Sequence, residues 1–234
     1  MDIHTHIIPD VDDGPKNFED SINIIRQLYQ LGIDTIVATP HKRRSFFSFD
    51  DKKVIENFNE LCGMIVERNL CVKLYLGAEY YFGTDLFEDI NNNSPFVIGN
   101  SKYLLVEFKS LRFSSQDKEN LFRIFTLGYK IIAAHIERNG FNSDSFEGIE
   151  YLKNNSVLLQ CDLMSLSGLW GKEAKSFMEE LIKRDFVDII STDVHCRDFE
   201  SKLLSEGFGI LSSLAGGAPE KYMGLGIKKR LGLL

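Results

Sequence analysis

The feature that most limits how this chain can fold is an alternation. Seven short apolar stretches, at residues 2–6, 34–38, 72–76, 103–107, 130–134, 157–161 and 187–191, are separated in most cases by segments of helical periodicity. Each stretch has strand length and most are rich in β-branched or aromatic residues. Several are apolar almost without a break, the pattern of parallel strands covered on both faces. After the first stretch, Phe18, Ile22, Ile25, Leu28 and Leu31 fall at helical spacing, with Asn17 as N-cap and Gly32 as stop. Segments 50–69, 84–93, 116–127, 144–154, 172–184 and 199–214 continue the series. Such alternation implies an α/β fold with a parallel sheet and right-handed crossovers. Seven units in 234 residues point to a closed or nearly closed barrel, with an open doubly wound sheet as the other topology. No linker, repeat or low-complexity tract divides residues 1–234, so a single domain is expected. The segment 216–234 is Gly-rich and is expected to pack as short helices, with Lys228-Lys229-Arg230 on a solvated face.

Polar side chains with metal-binding chemistry fall at the C-terminal ends of six of these stretches. They occur in His4-Thr5-His6, Thr39-Pro40-His41, Gly77-Ala78-Glu79, Val106-Glu107, His135-Ile136-Glu137-Arg138 and Asp193-Val194-His195, and all five histidines of the chain are among them. In an α/β barrel those ends share one mouth, where active sites are built. His4 and His6 are two apart, so a strand projects both imidazoles from one face. The turn-rich run Pro9-Asp10-Val11-Asp12-Asp13-Gly14 carries carboxylates back toward them. The inventory is His4, His6, His41, His135 and His195 with Asp13, Glu79, Glu107 and Asp193. One ion takes about four to six ligands, so this set implies two or three ions with bridging carboxylates. Nitrogen and oxygen donors without thiolate fit manganese, iron or zinc. Paired ions about 4 Å apart clamp a phosphoryl group and acidify an attacking water.

Cations lie beside these positions: Lys42, Arg43 and Arg44 follow His41, Arg138 follows His135, and Arg197 follows His195. Against a net charge of −7 they favour an anionic ligand, and guanidinium forks suit phosphate. Phe46 and Phe47 are placed to stack on a phosphorylated ring or grip a peptide, whereas Phe49 is expected to pack on the following helix. The negative balance argues against nucleic-acid binding. No apolar run reaches the ~18 residues of a membrane span, and the first residues do not read as a cleaved leader. Cys62, Cys71, Cys161 and Cys196 form no Cys-x-x-Cys pair, which fits reduced thiols and a cytoplasmic location. Cys62 and Arg68 have the Cys-x5-Arg spacing of thiolate phosphatases, but Phe58, Leu61 and Ile65 set that segment on a helix, which cannot wrap a phosphate.

Taken together, Asp2-Ile3-His4-Thr5-His6 with Asp12-Asp13-Gly14, Ala38-Thr39-Pro40-His41, Gly77-Ala78-Glu79, Val106-Glu107-Phe108, Ala134-His135-Ile136-Glu137-Arg138 and Ser191-Thr192-Asp193-Val194-His195 resemble the PHP (polymerase and histidinol phosphatase) domain. More narrowly, the chain is similar to bacterial PHP-type protein-tyrosine phosphatases of capsule and exopolysaccharide operons, over residues 1 to about 210. The resemblance implies a distorted (β/α)7 TIM-like barrel, a multinuclear Mn2+-type centre, and hydrolysis of phosphotyrosine on a cognate tyrosine kinase or its tyrosine-rich tail. Carried over by motif, the ligands are His4, His6, Asp13, His41, Glu79, Glu107, His135, Asp193 and His195. Arg138 steadies phosphate with Arg43 and Arg44 nearby, and Asp13, His41 or His195 protonates the leaving group. Oligomer formation is compatible with this reading. The end of the chain lacks an Asn-Pro that many relatives carry. Two other functions remain open: a histidinol-phosphate or other small-molecule phosphoesterase, and a non-catalytic, metal-dependent phosphopeptide-binding domain.

Overall fold

The computed structural model describes residues 1–43, 49–140, 143–195 and 200–233. Nine strands appear among them: β1 Asp2–Thr5, β2 Thr35–Ala38, β3 His41–Lys42, β4 Lys73–Leu76, β5 Glu79–Tyr81, β6 Tyr103–Glu107, β7 Lys130–Ala133, β8 Leu158–Asp162 and β9 Ile189–Ser191. Every pairing between them is parallel, in sheets ordered β1-β2-β4 and β3-β5-β6-β7-β8-β9. The expected seven became nine because two of them break. Pro40 has no N–H to give between β2 and β3. Between β4 and β5 stands Gly77, where a Cβ would press on Ile98, Thr39 and Val37. Pairing nevertheless runs through both breaks, since Gly77 N–H donates to the Ala38 carbonyl and Glu79 N–H to that of Pro40, at 2.9 and 3.1 Å.

The last strand also reaches the first. Asp193 N–H donates to the His4 carbonyl at 2.9 Å and His6 N–H to that of Val194 at 3.0 Å. Thr192 Oγ donates to the buried Asp2 carboxylate at 2.5 Å. The strand path therefore returns on itself as a distorted, barrel-like ring.

Period-two alternation divides the core into two layers. Ile36, Leu104, Ile131, Leu159 and Ile190 pack outward with Ile22, Leu61, Leu121 and Phe177 of the surrounding helices. Val37, Leu105, Ile132, Leu158 and Ile189 fall in a separate inner cluster with Ile3, Leu231 and Leu233. Local signals start the helices as the spacing predicts. Asn17 accepts Asp20 N–H at the head of Phe18–Gln30, and Ser114 with Asp117 forms a capping box before Ser115–Thr126. No helix among the described residues is long and apolar enough to cross a membrane.

The end of the chain forms the short helices Glu220–Met223 and Leu225–Arg230, as expected, but its basic run is not simply solvated. Lys228 pairs with Asp34 at 2.5 Å, Arg230 Nε donates to the Tyr103 hydroxyl at 3.3 Å, and the Met1 ammonium donates to the Met223 carbonyl at 2.9 Å. These clamps deliver Leu231 and Leu233, both buried, into the inner layer. Leu233→Ala should lower the unfolding free energy by about 2–5 kcal/mol, the range for truncating a buried leucine. Urea denaturation measures it, and an unchanged midpoint would remove the tail from the core.

Candidate metal centre

Strand ends bring the five histidines together. His4 and His6 project from the end of β1 and just beyond it, and their Nε2 atoms stand 3.3 Å apart. Glu79 Oε2, at the start of β5, lies 3.3 Å from His4 Nε2 and 3.4 Å from His6 Nε2. Asp193 Oδ1 lies 3.1 and 3.2 Å from the same two nitrogens. Four donor atoms at such spacings share a centre about 2 Å from each, the length of a Zn-type metal–nitrogen or metal–oxygen bond. Among the described residues, Glu79 Oε2 and Asp193 Oδ1 also find no well-formed hydrogen bond although both are buried. Buried anionic oxygens are normally satisfied, so these two mark a place built for a cation.

Electrostatics agree. Burial opposes charge on His4, yet the Asp193 and Glu79 carboxylates outweigh it and hold the imidazole pKa up at about 9. His6 is raised likewise, against burial, chiefly by Asp12. The carboxylates of Glu79 and Asp193 are in turn held well below their usual range despite burial, with His4 foremost among the causes. These opposed shifts mark the pocket as one that favours positive charge.

A second cluster adjoins the first: His6, Asp13, His41 and His195 have ligand atoms within 4.8 Å of one another. Asp13 Oδ1 is 3.4 Å from His195 Nε2 and 3.6 Å from His41 Nε2. Burial raises the Asp13 carboxyl, but His195 and His41 overcome it and keep it ionised. His41 Nδ1 also reaches Glu79 Oε2 at 2.8 Å, so that carboxylate borders both groups. His135 Nε2 meets the other Glu79 oxygen, Oε1, at 2.8 Å. Glu107 ends β6 half-buried and joins neither cluster.

Several positioning groups are absent from the motif-based set. Asp12 Oδ2 accepts from His6 Nδ1 at 2.7 Å and from His41 N–H at 3.0 Å, while Oδ1 accepts from Gly14 N–H at 2.9 Å. A side chain at Gly14 would collide with the His6 carbonyl, so this turn needs glycine. Gln160 Oε1 contacts His4 Nδ1 at 3.2 Å and accepts His135 N–H at 2.9 Å. Glu200 accepts His195 N–H at 3.0 Å. Asp12 was visible within its motif, and Gln160 as the one amide in the otherwise apolar stretch 157–161; Glu200 had no signal beyond its charge.

The cations divide. Arg138 Nη2 donates to Asp162 Oδ2 and Asp193 Oδ2, each at 2.5 Å, so it borders the first cluster. Arg43 lies with its guanidinium 4.4 Å over the Tyr81 ring. Lys42 corrects the expectation of a phosphate-facing cation. It is fully buried, paired with Asp89 at 2.6 Å and Asp51 at 3.0 Å, and lies over the Phe49 and Phe96 rings. Aromatic burial and two carboxylates satisfy its charge away from any anion. Phe49 packs in the core, as expected. Arg44, Phe46, Phe47, Cys196 and Arg197 lie outside the described residues.

Cys62 and Cys161 are unsuited to nucleophilic phosphatase chemistry. Cys62 lies on helix Asp51–Glu67, where burial raises its pKa, and Arg68 pairs instead with Glu19. Burial raises the Cys161 thiol further. A nucleophilic cysteine needs the opposite shift.

If Asp12 orients His6 and the His41 backbone, Asp12→Ala should weaken divalent-metal affinity about 10–100-fold, the usual cost of losing an outer partner of a ligand. Competition with a chelating dye reads this out; affinity equal to the unaltered chain would remove Asp12 from the centre.

Comparison with known proteins agrees with this geometry. Residues 1–218 match the family model for capsular polysaccharide synthesis, CpsB/CapC. The CapC protein of Staphylococcus aureus is 33% identical over 195 residues, which is 83% of this chain and 76% of CapC. Tyrosine-protein phosphatase CpsB of Streptococcus pneumoniae is 29% identical over 229 residues, covering 95% of this chain and 94% of CpsB. A solved chain from work on YwqE of Bacillus subtilis and CpsB of Streptococcus pneumoniae, metal-dependent tyrosine phosphatases, superposes with a TM-score of 0.79. That match has 26% identity and covers 95% of this chain and 90% of the other. A strand-end cluster of five histidines and a match over nearly the whole length lead to one assignment: the chain belongs to the CpsB/CapC family of capsular polysaccharide synthesis proteins.

Proposed function

We propose that the chain is a metal-dependent protein-tyrosine phosphatase, acting with manganese on a phosphorylated tyrosine kinase of capsule or exopolysaccharide synthesis. The observation that carries this reading is the close spacing of the His4, His6, Glu79 and Asp193 donor atoms, all within 4.8 Å of one another, with a guanidinium alongside. The relatives named as tyrosine phosphatases support the substrate class.

The groups above divide the work. His4, His6, Glu79 and Asp193 would hold one ion, and Asp13, His41 and His195 another; His135 adds a nitrogen at the far oxygen of Glu79. Divalent ions there supply Lewis acidity, offsetting phosphoryl charge and lowering the pKa of water. Glu107 is a further oxygen donor on the reading from motif. Arg138 neutralises the equatorial phosphoryl oxygens beside Asp193, an electrostatic contribution made where charge develops in the transition state. Arg43, stacked on the Tyr81 ring, is a further substrate-binding residue on this reading, and Arg44 remains one from the sequence alone. Tyrosinate leaves with a pKa of about 10, so only weak acid assistance is required. Asp13 stays ionised among its imidazoles and is a poor proton donor.

Elemental analysis of the purified protein, paired with a phosphotyrosine-peptide assay, tests this directly. Manganese-loaded protein should release phosphate, chelation should abolish release, and thiol alkylation should leave it largely intact. His135→Ala should remove most activity while the chain stays folded. Faster turnover of histidinol phosphate would replace the protein substrate with a small one. Tight phosphopeptide binding without phosphate release would make the site a binding module.

A further inference from the structure

Arg138 does not stand at the mouth unsupported. It follows β7 in the 3-10 turn Ile136–Asn139, and its guanidinium is enclosed by groups from the end of β8 and from the segment beyond it. We propose that Asp162 and Trp170 are positioning residues that fix Arg138 for phosphate, an inference that rests on the phosphatase reading.

Three contacts build this cradle. Asp162 Oδ2 accepts from Arg138 Nη2 and from Trp170 Nε1, each at 2.5 Å. The Trp170 ring lies under the guanidinium, 3.9 Å from its central carbon. Asp162 itself has no freedom to swing: Oδ1 caps the turn Leu163–Leu166 by accepting Met164 N–H at 2.8 Å. Its own N–H donates at 3.0 Å to Glu137, the residue before Arg138, and that carboxylate also takes the Ser165 hydroxyl at 2.6 Å. The guanidinium plane is thus set by a stacking face and two carboxylates. One of these, Asp193, belongs to the first cluster. Arg138 Nε is buried without a hydrogen-bond partner among the described residues. A planar fork held this way meets phosphate without first ordering a long, flexible side chain. Trp170 is 39% exposed, which places the ring at the surface end of this stack.

The test uses the full chain loaded with manganese. Trp170 is its only tryptophan, so emission reports this contact alone. Titration with inorganic phosphate is expected to change the emission saturably. Asp162→Asn is expected to weaken phosphate affinity by calorimetry, and to raise KM for a phosphotyrosine peptide, about tenfold, the scale of one hydrogen bond to a charged group. Trp170→Phe keeps a ring under the guanidinium but removes the N–H, and should fall between the unaltered chain and Trp170→Leu, which loses both. A merely structural role would lower the melting temperature of these variants and leave KM and phosphate affinity alone. Unchanged KM and phosphate affinity in folded variants, or emission indifferent to phosphate, would overturn the proposal. Should Asp162→Asn fail to fold, the two Trp170 variants decide it. If the unaltered chain released no phosphate from the peptide, the phosphatase reading would fall, and the phosphate titrations would still decide the cradle.

Discussion

The carboxylates of Glu79 and Asp193, buried side by side within reach of the same two imidazoles, are the constraint on which the rest of this structure depends. Removing ionised carboxylates from water costs several kcal/mol each unless charge of the opposite sign meets them. Here the answering charge comes from His4 and His6 at the end of β1 and from Arg138 beyond β7. Strand lengths, breaks and the return of the last strand onto the first can be understood as what is needed to bring those groups to one point. A cation bound there would add to that answering charge and so favour the folded chain.

Two backbone distortions belong to the same arrangement. His135 and Asp193 have positive φ, in the left-handed region that side chains other than glycine rarely occupy. Both stand just after a strand, where the chain must turn while still aiming a side chain inward. Such conformations cost of order 1–3 kcal/mol and persist only where surrounding bonds over-determine them. Gln160 receives the His135 N–H, and the His4 carbonyl receives that of Asp193. Outer partners therefore fix backbone as well as rings, and Asp12 does both, by holding the His6 ring and the His41 N–H together.

Much of this was legible in the sequence because two periodicities carry it. Strand-length apolar runs located the ring, and the rule that barrel strands end at a common mouth gathered all five histidines before any coordinate was known. What escaped was non-local. The breaks at Pro40 and Gly77 leave short segments, His41–Lys42 and Glu79–Tyr81, too brief for any periodicity. Lys42 reads as one cation among three, and only tertiary packing shows it turned inward against Asp51 and Asp89. The sixth apolar stretch, which became β8, had no motif at its end, yet a polar group stands there. Asp162 occupies that place, and only its partners Arg138 and Trp170, 24 and 8 residues away, make its role visible.

The leucines that fill the inner layer come from the far end of the sequence. Leu231 and Leu233 share that cluster with Met1 and Ile3, and the first ammonium bonds a carbonyl 222 positions later. Closing the inner layer therefore needs contacts between residues as far as 222 positions apart. Contacts of such separation meet a loop-closure entropy before they return any stabilisation, which makes them late to form.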